Sequence, residues 1–338
     1  MIARILFVFL LLGAMPASAA PLAVRAVVVT TFQHGEDGPG EMRAWMAGTP
    51  RKLPFAASDL PLRYDPVRHL LVVSTGMGSV RAAAVITALG TDPRFDLTHA
   101  YWLVAGIAGI DPKAGGIGSA AWIGDVVDGD YGFEIDSREA PKSWTTGKLP
   151  WFRPTPYALP VPDKDDNLFT LNHALRDWAF ARTRAIGLPD DETLQKARGD
   201  YQGNAATPPT VLKGSEISGQ SWWAGRLANA HARRWVDYWT EGGEPMVMSA
   251  MEDSGIVRAV RTLGRLGRAD PGRLMILRTA SDYTAPPPGQ SAAAYVAAIQ
   301  AKVPATRQAL DAASRIGAPV VDEITGHWTR YRDRIPGG

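Results

Sequence analysis

The sequence predicts an α/β fold in one domain built on a largely parallel sheet, and three observations carry that prediction. Residues 24–30 and 70–74 are mostly apolar without alternation, the pattern of strands covered on both faces. Each of them runs into a polar, Gly-rich loop followed by a helical pattern, the order from which parallel sheets are built. No period of repeat length and no break in composition divides the chain.

The 338 residues are 46% hydrophobic and 21% charged, with a formal net charge of +2 and no cysteine. Such a mix belongs to a globular chain with a large core and excludes disordered and fibrous classes. The arginines are scattered, so nucleic-acid binding gains no support. Lack of cysteine removes disulfides, thiolate metal sites and a thiol nucleophile. The six histidines show no ligand spacing, and neither a metal nor a cofactor is expected.

At the N-terminus Arg4 precedes an apolar run over residues 5–12, and Ala17-Ser18-Ala19 supplies the small residues of a cleavage site. The run is shorter than the ~20 residues that span a bilayer. Residues 1–19 are therefore expected to be a secretory signal peptide. Residues 20–338 form the mature, exported chain, periplasmic or secreted, with no integral membrane segment.

After the first strand, the loop over residues 31–41 carries His34, Glu36, Asp37 and Glu41 and leads to a helix holding Met42, Trp45 and Met46. Loops at the carboxyl ends of parallel strands are where α/β proteins place ligands, which makes these residues candidates. The second strand ends in Gly76-Met77-Gly78-Ser79 before a helix, a turn whose free N–H groups suit an oxyanion. The third, over residues 100–104, leads to Gly106 and other small residues that admit a close approach. A fourth, over 120–127, precedes Tyr131 and Phe133, which suit either stacking on a flat ligand or core packing.

Residues 137–170 read as an excursion from the core. Asn167 is the expected cap of a helix holding Leu168, Leu171, Leu175 and Trp178 on one face. A further helix opens at Ser218, where Trp222 and Trp223 suit closure over a base or the core. The strand over 246–250 meets Met251-Glu252-Asp253-Ser254-Gly255 and a helix, and the strand over 274–278 is followed by Ser281-Asp282. Each of these two segments sets a carboxylate at an element boundary. The Pro-rich residues 285–288 are expected to form a flap over a pocket, then comes a last helix, and 326–338 is expected to be a loose tail.

Taken in order, Gly76-Met77-Gly78-Ser79, Gly106-Ile107-Ala108-Gly109, Gly124-Asp125-Val126-Val127, Met251-Glu252 and Ser281-Asp282 resemble the blocks of the nucleoside phosphorylase and nucleosidase superfamily. Through Pro39-Gly40-Glu41, Asp128-Gly129-Asp130, residues 218–223 and Ala250-Met251-Glu252-Asp253 the chain resembles the purine nucleoside permeases more closely, over residues 24–325. This resemblance implies a three-layer α/β/α sandwich around a mixed sheet and a small-molecule nucleoside ligand. It implies that Asp282 protonates N7 of a purine leaving group, that Glu252 grips the ribose hydroxyls and that Met251 lies against the sugar, with Ser281 orienting the acid. Relatives assemble as homo-oligomers, a neighbour completing the site in some.

Breaking an N-glycosidic bond passes through an oxocarbenium-like state, so the chemistry asks for the same acid, sugar-gripping carboxylate and nucleophile. Phosphate-using relatives often carry an arginine where this chain has Ala105, and an exported enzyme need not conserve the bond as sugar phosphate. Hydrolysis is therefore expected, with Glu41 orienting water and Glu36 or Asp37 behind it. Phosphorolysis, with phosphate as co-substrate and Arg81 near the Gly76 turn, is the alternative. A non-catalytic nucleoside-binding protein linked to transport is the third reading.

Overall fold

The computed structural model describes residues 20–46, 51–164 and 166–338. The expected signal peptide lies outside them. Ten strands form one mixed sheet: β1 (Ala26–Thr30), β2 (Arg51–Leu53), β3 (Leu62–Asp65), β4 (Leu70–Ser74), β5 (Tyr101–Ile110), β6 (Ala120–Asp128), β7 (Leu168–Thr170), β8 (Val211–Ser218), β9 (Met246–Ala250) and β10 (Leu274–Tyr283). The order is β7-β6-β8-β9-β5-β1-β4-β3-β2, and β10 pairs with both β5 and β6. Pairing thus closes on itself through β6, β8, β9, β5 and β10. A ring of five strands leads into an open wing of four.

The continuous apolar runs explain the layering. Along β1, β4 and β5, Val27, Val29, Leu71, Val73, Trp102 and Val104 enter one apolar cluster. Ala26, Val28, Leu70, Val72, Tyr101 and Leu103 enter another, so alternate residues bury on opposite faces. Helices α1 (Ser79–Thr91) and α5 (Asp253–Arg265) pack with the first cluster. Helices α2 (His173–Thr183) and α7 (Thr306–Gly326) pack with the second. A Cβ on Gly255 would lie 2.0 Å from the Ser79 carbonyl oxygen, so only glycine lets the N-termini of α1 and α5 meet.

Several expectations need correction. The helix after the first loop is a short 3-10 turn, Met42–Trp45. Asn172, not Asn167, caps α2, accepting from the Leu175 N–H at 3.1 Å, while Leu168–Thr170 pairs antiparallel with β6. No helix opens at Ser218; after α3 (Glu192–Arg198) the next helix is α4 (Arg226–Thr240). The intervening loop is tied by the Gln220 N–H to Asp130. The Pro-rich segment is no flap, because Tyr201 Oη donates to the Ala285 carbonyl at 2.8 Å and Arg226 to those of Pro287 and Gln290. The C-terminal end is anchored as well, with Tyr331 buried and its carbonyl accepting from Tyr101 Oη at 2.8 Å and Arg273 at 2.9 Å.

Candidate active site

The ring brings the two carboxylate-bearing segments to one end of the sheet. Strand β10 does not stop before Ser281-Asp282 but carries both, with a shift of register against β5 between Ala280 and Asp282. Such a bulge re-aims the side chains that follow it. Ser281 Oγ lies 3.3 Å from the Ala108 carbonyl and 2.9 Å from Asp282 Oδ1, which it serves as donor. Asp282 Oδ2 accepts from Trp222 Nε1 at 3.3 Å. Burial pushes the Asp282 carboxyl up to about 6, against the pull of those two donors. A carboxylic acid still partly protonated near neutral pH is poised to donate a proton.

Asp282 and Ser281 line a cavity of about 270 Å³ together with Glu252, Met251, Trp222, Met77, Thr31, Phe32, Ile107 and residues of β9. Ile299, Gln300 and Val303, on and just past helix α6 (Ala292–Ala301), close the far wall. A wider cleft of about 920 Å³ beside Arg43, Lys302, Arg307 and Asp311 holds no comparable chemistry, since these four side chains are exposed. The smaller cavity, with its buried acids, is the candidate active site.

Glu252 occupies the residue before α5. Its Oε1 accepts from the Gly78 N–H at 3.2 Å and its Oε2 from Arg278 Nη2 at 3.0 Å. Burial raises its pKa, with Arg278 opposing. Arg278, fully buried on β10, also grips Asp253 through Nε to Oδ2 at 2.7 Å and Nη2 to Oδ1 at 2.6 Å. Burial acts to strip the guanidinium of its proton, but Asp253 and Glu252 outweigh it and hold it firmly charged.

Glu41 is buried behind the cavity wall. Its Oε2 accepts from the N–H groups of Thr31 at 2.5 Å and Phe32 at 3.0 Å, and its Oε1 from that of Ile107 at 2.8 Å. Burial raises its pKa and Arg278 opposes that. Gly106 does not line this cavity; a Cβ there would lie 2.6 Å from Arg278 Nη1 and 2.7 Å from Glu41 Oε1. Its role is to let these two charged groups approach each other. Gly106→Ala should therefore cost about 1–3 kcal/mol through overpacking. A lowered urea midpoint is expected, and a wild-type midpoint would mean that both neighbours give way freely.

Other predicted residues sit elsewhere. The Gly76 turn offers fewer free amides than its sequence promises, since the Gly78 N–H serves Glu252 and the Val80 N–H meets Gln220 Oε1 at 3.3 Å. Ser79 Oγ also turns to Gln220. Gly76, His34 and Arg81 line a second, polar chamber that shares Thr31, Phe32 and Met77 with the first. Arg81 pairs there with Asp59 at 3.1 Å. Tyr131 and Phe133 lie outside, against Trp151 with ring centroids 5.6 and 4.2 Å apart. Glu36 pairs with Lys52 and Arg63, Asp37 is exposed, and Trp223 packs at the aromatic cluster of α4. Arg278 and Asp253 were missed as site residues. The available signal was an arginine inside an otherwise apolar strand, a position that demands a buried partner.

Comparison with known proteins agrees with this architecture. A 5'-methylthioadenosine/S-adenosylhomocysteine nucleosidase from Colwellia psychrerythraea in complex with adenine superposes with a TM-score of 0.54 at 15% identity, over 89% of this chain and 95% of that one. Futalosine hydrolase of Helicobacter pylori superposes with a TM-score of 0.51 at 11% identity, over 88% and 98%. At such identities the likeness shows the fold. Among the described residues no helix is long and apolar enough to cross a membrane.

In sequence, a purine nucleoside permease of Candida albicans is 28% identical over 263 residues, 76% of this chain and 64% of the relative, so the match spans less than two thirds of that protein. A Schizosaccharomyces pombe protein named as a probable purine nucleoside permease is 28% identical over 268 residues, 77% of this chain and 76% of that one. The purine nucleoside permease family model matches residues 23–336. Fold, ordered motifs and this end-to-end match together establish that the chain belongs to the purine nucleoside permease family.

Proposed function

We propose that this protein cleaves the N-glycosidic bond of purine nucleosides by hydrolysis. The observation that carries the reading is the buried Asp282, held by Ser281 and Trp222 and raised to about 6, in the same cavity as Glu252. Asp282 donates its proton to N7 of the leaving purine. Glu252, steadied by Arg278 and the Gly78 N–H, accepts from the ribose hydroxyls, and Met251 lies against the sugar. The half-exposed Trp222 faces the base. Positive charge gathers on the sugar as the bond breaks, and a buried carboxylate stabilises it more strongly than water does.

Glu41 is the group proposed to orient the attacking water. A carboxylate has about four acceptor positions. Three backbone N–H groups and Thr31 Oγ1 engage it, with three of these four on Oε2, which leaves capacity on Oε1. For phosphorolysis the geometry gives less support, because Arg81 is exposed and already paired and two amides of the Gly76 turn are occupied. The helices on both sheet faces support the three-layer reading. An export leader over residues 1–19 belongs to the same proposal and places the reaction outside the cytoplasm.

Chromatography of purified protein incubated with adenosine, guanosine, inosine and uridine, with and without phosphate, tests the reading. Free purine base plus ribose in both conditions is expected. Base only in the presence of phosphate, together with ribose 1-phosphate, would replace hydrolysis by phosphorolysis. Nucleoside bound but never cleaved would leave the transport-linked binding protein.

A further inference from the structure

Within the strand ring, one buried acid has no part in the chemistry above. Glu216 lies on β8 and is fully buried, and neither carboxyl oxygen has a hydrogen-bond partner. The charged groups that face it are Asp253 and Glu252 at the start of α5 and Arg278 on β10. Arg278 makes no hydrogen bond to it, because Nε and Nη2 are turned to Asp253, Nη2 also serves Glu252 and Nη1 serves the Ile107 carbonyl.

Glu216 lies within hydrogen-bonding reach of Asp253, and two carboxylates sealed from water have no hydrogen to share unless one of them is protonated. Both oxygens of Asp253 already accept from the guanidinium. Glu216 accepts from nothing, so the proton belongs there.

We infer that Glu216 is a neutral acid whose O–H donates a hydrogen bond to Asp253 and that it serves as a positioning residue for Glu252. Its hydrogen bond fixes Asp253, which fixes Arg278, which holds Oε2 of the carboxylate that meets the sugar. Burial, with the negative charge of Asp253 added, raises the Glu216 pKa well above the usual range, in line with this placement. Because it names a support for the sugar-gripping group, the positioning role rests on the nucleoside reading. The proton on Glu216 does not.

Infrared difference spectra of the ligand-free full chain, wild type minus E216Q, test the proton. A neutral-carboxyl C=O stretch that persists at pH 7 and vanishes in E216Q is expected, whereas carboxylate bands in its place overturn the assignment. Positioning is tested with E216M, which keeps the length and loses the donor, beside E216Q, which keeps one. E216M should raise the KM for purine nucleoside, or the Kd if the wild type binds without turnover, by about tenfold, with E216Q within about twofold of wild type. Equal losses in both variants, or loss in neither, overturn the positioning role. A wild type that binds no nucleoside overturns it too, together with the proposed function, and the infrared band still decides the proton.

Discussion

Asp282→Asn should lower turnover of purine nucleosides by about 10²–10⁴-fold, the typical contribution of a positioned acid, with a much smaller change in binding. Asparagine fills the same space and retains one oxygen for Ser281 or Trp222, but it has no proton to give. In the wild type, activity should fall as pH rises through about 6, where the buried acid ionises. Stability should follow the same group. Its folded pKa lies above the unfolded value near 3.8, so the stability it contributes is complete below that value and is lost as pH rises through about 6. That rise in pKa corresponds to ~3 kcal/mol. D282N escapes this loss, so it should melt above wild type at pH 8, and the gap should close at pH 4. Wild-type turnover in D282N would remove Asp282 as the acid.

Arg278→Met removes the cation that two buried carboxylates share and should destabilise the protein by about 3–5 kcal/mol, the cost of leaving buried charges uncompensated. Methionine approximates the volume, so cavity formation adds little. Acid should partly restore the variant, because Glu252, whose pKa burial raises, takes up a proton as pH falls and no longer needs the cation. Urea unfolding at pH 7.5 and pH 4.5 checks both statements. A variant with wild-type stability at the higher pH would show that the buried charges find another partner. Turnover should fail as well, since Glu252 loses the contact that fixes its Oε2.

What the sequence made legible follows the range of the interactions. The strands β1, β4, β5 and β6 were readable because burial on both faces writes an uninterrupted apolar run. Glu252 and Asp282 stood out as carboxylates at the ends of such runs, and the structure sets both in one cavity. Helix α7 was not read, although Ile316, Val320, Val321 and Ile324 recur at helical spacing, because its first turns bury only Ala309, Ala312 and Ala313 and Pro319 signals a break. The Arg278 contacts lie 25 and 26 residues away along the chain, beyond any local signal. Tyr131 and Phe133 misled because an aromatic after a strand looks the same whether it faces a ligand or Trp151.

The closed ring of strands also governs how copies of this molecule can meet. Unpaired strand edges invite further strands from other chains, and a ring has none. Among the described residues the sheet ends on two strands of three residues, β2 and β7, and Arg51 and Lys52 on β2 are exposed cations. Rims this short, one of them charged, are poor templates for a continuous sheet across molecules, which guards the protein against edge-to-edge aggregation.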